Sequence, residues 1–124
     1  MNWLAVGLGT IAFFAVGALW YGVLFGRRWR AELGIEGPPS AMAMVLTLLA
    51  EAVVVTMLAH LIARTGPTPH VKLMMAFGFG ATIMTPAVAI NYLYQRRSLV
   101  LFLIDAGHFI VGMMAVGAVF VALG

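Results

Sequence analysis

Four long apolar stretches, over about 3–25, 41–63, 73–94 and 99–123, constrain what this chain can fold into more than any other feature. Crossing about 30 Å of hydrocarbon as a helix takes roughly 20 residues, and each stretch meets that length. The first carries no charge; the second is interrupted only by Glu51 and His60. Membrane-barrel strands would read as segments of about ten residues alternating apolar and polar. These stretches are continuous and about twice as long, so helices are expected.

The breaks between them are polar and turn-forming. Gly26 to Ser40 holds Arg27, Arg28, Trp29, Arg30, Glu32, Glu36 and the pair Pro38-Pro39. Arg64 to His70 is a turn by its Gly66, Pro67 and Pro69. Gln95 to Ser98 holds Arg96 and Arg97. Within the first break, Arg27 to Leu33 has the composition of a short interfacial helix, though an ordinary headgroup anchor is the preferred reading. The expected architecture is a single all-α domain over residues 1–124, an integral membrane antiparallel four-helix bundle.

Composition agrees. Of 124 residues, 64% are hydrophobic and 9% charged, with a mean hydropathy of +1.07. A water-soluble domain carries roughly a quarter of its residues as charges. The lipid bilayer is therefore the expected solvent and first partner. The net charge of +3 comes from only seven basic residues and does not suggest nucleic acid as a partner. Cysteine is absent, which excludes disulfides and thiolate chemistry. The first stretch lacks the basic start and small-residue cleavage site of a signal peptide, so it is expected to remain as a span.

Basic residues set the expected orientation. Arg27, Arg28, Arg30, Arg96 and Arg97 lie in the first and third breaks, against Arg64 and Lys72 in the second. Five against two puts the first and third breaks in the cytoplasm and both termini outside it. Trp3 marks one interface, while Trp20, Tyr21, Trp29, Tyr92 and Tyr94 crowd the other.

Ionisable groups in hydrocarbon are costly and usually face the bundle interior. At about 1.5 Å per residue, Glu51 lies roughly 16 Å beyond Ser40, and His108 roughly 15 Å beyond Ser98. Asp105, three residues before His108, projects from the same helix face, with Gly112 one turn on. Asn91 and Tyr21 sit near the same end of their own spans. Tyr21, Glu51, Asn91, Asp105 and His108 are thus expected to form a polar cluster in the cytoplasmic half. Carboxylates and an imidazole at matched depth are the ingredients of a proton relay or ion path. They are equally the ingredients of a structural lock on helix register. A third reading, in which Asp105 and His108 form the acid–base pair of a membrane enzyme, is the weakest.

Other signals are weak. Asp105 and His108 are half of a metal-binding pattern, and their spacing is common by chance, so no metal or cofactor is expected. His60 and His70 read as headgroup or solvent contacts. No nucleophile elbow, phosphate loop or zinc-protease helix is present. Small pairs four apart (Ala5 and Gly9, Ala76 and Gly80, Gly78 and Thr82) suggest close helix approach. Pro86 is expected to kink the third span and free the Thr82 carbonyl, with Thr85 as a nearby donor. Four helices enclose little volume, so a transport path points to a homo-oligomer.

Asn2-Trp3-Leu4-Ala5, Gly17-Ala18-Leu19-Trp20-Tyr21 and Phe25-Gly26 followed by Trp29 open the resemblance to a known family, and Asn91-Tyr92-Leu93-Tyr94 and Leu101 to His108 continue it. Over essentially its whole length the chain resembles the bacterial membrane family known as domain-of-unknown-function family 1761. The resemblance implies four membrane helices and no established activity, so it implies no catalytic or binding residues. Trp20, Tyr21, Asn91, Asp105 and His108 fall within its motifs; Glu51 does not.

Overall fold

The computed structural model describes all 124 residues and contains helices only. Four of them are long and apolar enough to cross a membrane: Trp3–Leu24, Ala41–Thr65, Pro69–Gln95 and Leu99–Leu123, here the first to fourth spans. A shorter helix, Gly26–Leu33, follows the first span. Arg27 to Leu33 is therefore helical, where a plain headgroup anchor was the preferred expectation.

Local chemistry sets the boundaries. Asn2, Ser40 and Ser98 each cap a span, their side-chain oxygens accepting from the backbone N–H three residues on at 3.0, 3.1 and 3.1 Å. Gly34 and Gly66 close the short helix and the second span in the left-handed region, at φ 68° and 57°. The third span starts at Pro69, earlier than expected, because proline at the first helical position loses no hydrogen bond. It ends in a Schellman turn through Arg96, with the Arg97 N–H donating to the Tyr92 carbonyl at 3.0 Å.

Two spans contain a widened turn. Residues Trp20–Leu24 are π-helical, closed by the Phe25 N–H donating to the Trp20 carbonyl at 2.8 Å. Gly26 then starts the short helix so close to the Tyr21 carbonyl that a Cβ would sit 1.9 Å from its oxygen. Residues Phe79–Met84 are also π-helical, just before Pro86. The proline cannot donate to the preceding turn, and the helix widens there. The Thr85 hydroxyl donates at 2.7 Å to the Gly80 carbonyl, which lies two residues before the expected one and also accepts from the Thr85 backbone N–H.

The fourth span is the centre of the bundle, with Leu101, Ile104, Met113, Val116 and Phe120 buried along it. The first span runs antiparallel against it, with Gly17 beside His108, Phe13 beside Gly112 and Gly9 beside Val116. The third span lies on another side, where Ala76 meets Gly117 and Gly80 meets the backbone at Phe109 and Ile110. The second span packs on the first, through Val55 against Gly9. Ala5, Gly9, Ala76 and Gly80 are buried as the small pairs suggested, whereas Thr82 faces outward. Close approach matters because helices in lipid associate by packing more than by hydrophobic exclusion.

Only 23 of 124 residues are buried, and the exterior is apolar, with Val23, Val53, Leu93 and Leu99 all largely exposed. In water such a surface would aggregate. Lys72, read from sequence as a loop residue, is buried in the third span and donates to the Phe120 carbonyl at 3.4 Å. It thereby partners one of the open carbonyls at the end of the fourth span.

A Cβ at Gly80 would lie 3.0 Å from the backbone of the fourth span, which cannot yield as a side chain can. Gly80→Val should therefore cost about 1–3 kcal/mol of stability. Gly7→Ala, where nothing lies within 4 Å, should leave the thermal midpoint in detergent unchanged or slightly raised. Equal midpoints for the two variants would contradict this packing.

Candidate functional site

Asp105 is 7% exposed and accepts hydrogen bonds from three side chains on three other segments. The Tyr21 hydroxyl from the first span and the Trp29 indole from the short helix both donate to Oδ1, the indole at 3.0 Å. The Tyr92 hydroxyl from the third span donates to Oδ2. Hydrogen bonds to a charged acceptor are among the stronger ones in proteins, and here they converge on one carboxyl group.

Each donor is placed by local backbone. Trp20 and Tyr21 open the π turn at Trp20–Leu24, and both engage the fourth span. The Trp20 indole donates to the Ile104 carbonyl at 2.8 Å, and its ring lies where a Cβ on Gly107 would come within 2.9 Å. Trp29 is carried over Asp105 by the short helix and packs on Tyr21 at a centroid distance of 5.0 Å. That helix is tied to the start of the fourth span by the Ser98 hydroxyl donating to Glu32 at 2.9 Å, and the Arg28–Glu32 ion pair at 3.2 Å lies within the helix itself. The Schellman turn at Arg96 holds the last turn of the third span, which carries Tyr92.

One turn deeper, His108 is 7% exposed, with ring centroids 5.0 Å from Tyr21, 5.0 Å from Phe109 and 5.6 Å from Phe13. Gly17 leaves room for it, since a Cβ there would lie 3.0 Å from Nε2. Neither ring nitrogen has a hydrogen-bond partner. Glu51, 6% exposed on the second span, has Oε1 buried without a partner.

The five residues singled out from sequence are thus only partly brought together. Tyr21 bonds Asp105 and packs edge-on against His108. Glu51 is buried but bonded to none of the others, because its span packs on the first rather than on the fourth. Asn91 is exposed on the outer face of the third span, and the neighbouring Tyr92 takes the inward position. Trp29 and Tyr92 were missed as donors. Both lay in the aromatic crowd at this end of the sequence, and nothing in the spacing marked which of them turns inward. No group of three or more metal-binding side chains forms. Neither of two surface cavities, of about 380 and 220 Å³, is lined by Asp105 or His108.

Fold and site define a small all-helical protein with four membrane-length apolar helices and a hydrogen-bonded carboxyl group at one end of the bundle. Residues 4–121 match the family described as a protein of unknown function, DUF1761, and the chain belongs to that family. No curated protein and no solved structure matches it.

Losing one donor should cost less than losing the shared acceptor. Tyr92→Phe removes one hydrogen bond, about 1 kcal/mol. Asp105→Leu leaves three donors without their acceptor and should cost about 3 kcal/mol. Thermal midpoints in detergent rank the two; an Asp105→Leu variant as stable as Tyr92→Phe would contradict the shared-acceptor geometry.

Proposed function

We propose that this chain is an integral membrane protein that crosses the bilayer four times and passes protons across it by a path that opens at its arginine-rich end. The apolar exterior and the four long helices support membrane insertion. The five arginines in the first and third connections support placing that end in the cytoplasm, with both termini outside.

The observation that carries the proton reading is the pair of buried groups without partners, His108 through both ring nitrogens and Glu51 through Oε1. A buried polar atom left unpaired costs about 1–3 kcal/mol, and a bundle gains nothing structurally from carrying such atoms. His108 lies one turn deeper than Asp105 on the fourth span, and the Asp105 carboxyl is joined to the Tyr21 and Tyr92 hydroxyls near the arginine-rich end. A proton entering at that end would pass through the Tyr92 or Tyr21 hydroxyl, which releases its own proton to Asp105 as it accepts another from water. Water entering between the helices would connect Asp105 with His108 and Glu51.

One observation favours a second reading, that of a structural or accessory subunit. Asp105 accepts from three donors on three other segments, the arrangement expected of a fixed lock between helices.

Proton flux into liposomes separates the two. The natural protein should dissipate an imposed pH gradient. Glu51→Gln and His108→Ala, each shown to keep the natural melting behaviour, should bring flux to the level of empty liposomes. A folded natural protein that passes no protons would overturn the relay and leave Asp105 as a lock.

A further inference from the structure

Beside Trp20, the outer surface between the first and fourth spans is indented by a groove of about 380 Å³. Trp20, Phe25, Val100, Leu103 and Ile104 give it an apolar lining, and Arg28 is its one polar residue. The lining is fixed before anything binds. The Trp20 indole is held by the Ile104 carbonyl at 2.8 Å, and the Phe25 ring packs on Trp20 at a centroid distance of 4.8 Å. A preformed groove loses little entropy on binding.

Arg28 stands on the short helix, about one turn beyond Phe25. Its Nε donates to Glu32, and both terminal guanidinium nitrogens make no hydrogen bond. Around it the connections at this end carry Arg27, Arg30, Arg96 and Arg97 against Glu32 and Glu36. The groove therefore pairs a long apolar surface with a cation at its polar end. Leu103 in the lining is 59% exposed, and Leu99, one turn nearer the arginine-rich end, is 70% exposed.

We propose that this groove binds an anionic phospholipid, one acyl chain lying against Trp20 and Leu103 and the phosphate on the Arg28 guanidinium. A guanidinium fork matches phosphate oxygens, and basic sites beside membrane helices recognise anionic headgroups. A free phosphate would leave the apolar lining unused. The proposal rests on the membrane reading above, but not on proton transfer.

Native mass spectrometry of the detergent-purified chain tests it, with phosphatidylglycerol, phosphatidylcholine and inorganic phosphate as probes. The natural chain should retain phosphatidylglycerol in preference to phosphatidylcholine. Arg28→Gln should reduce that preference about fivefold. Leu103→Trp, which fills the groove from an exposed position, should reduce retention of phosphatidylglycerol. Arg97→Gln, away from the groove, should leave retention unchanged. Equal retention of the two lipids, an Arg97→Gln effect as large as that of Arg28→Gln, or competition by inorganic phosphate would each overturn the groove as a lipid site. A chain that stays in solution without detergent would instead overturn the membrane reading itself.

Discussion

One carboxyl group holds the arginine-rich end of this protein together. Asp105 lies on the central helix and accepts from the first span, the short helix and the third span at once. With helices this apolar on their outer faces, directional bonds and close packing are what distinguish one arrangement from another. The π turn at Trp20–Leu24, the glycine at position 26 and the Schellman turn at Arg96 all serve to deliver a donor to this point. If the acceptor is removed, those local features have no common target.

The other half of the bundle is held by shape. Gly9, Gly80, Gly112 and Gly117 let neighbouring spans approach until side chain or backbone fills the space a Cβ would take. Packing of this kind tolerates no added volume, yet it leaves the outer faces free to be mostly apolar. The second span shows the contrast. Ala41 to Ala50 is exposed throughout, and the span joins the bundle only from Glu51 onward, where it meets the first. Glu51 thus sits where that span enters the packed region, with one oxygen unpartnered.

The helices were legible in the sequence because hydropathy and capping chemistry act locally. Ser40, Ser98 and Gly66 mark ends that the structure keeps. What could not be read is rotational phase. A π turn adds residues to a turn and rotates everything beyond it, so the inward face of the third span after Phe79–Met84 does not follow from its first half. That is why Asn91 faces out and Tyr92 faces Asp105. Depth along the helix was equally insufficient for Glu51 and His108. Equal depth places two groups at one level, but which helices touch decides whether they meet, and the second span lies against the first.

The most direct test of Asp105 as the common acceptor is the solvent-exchange rate of the Trp29 indole N–H, followed by NMR of isotope-labelled protein in lipid nanodiscs. The indole donates to Asp105 from a helix with few other ties to the bundle. Slow exchange in the natural protein, becoming fast in Asp105→Leu and staying slow when Tyr21 and Tyr92 are both replaced by Phe, is the result expected of an indole bonded directly to Asp105. Exchange that is already fast, or that stays slow after Asp105 is replaced, would contradict it.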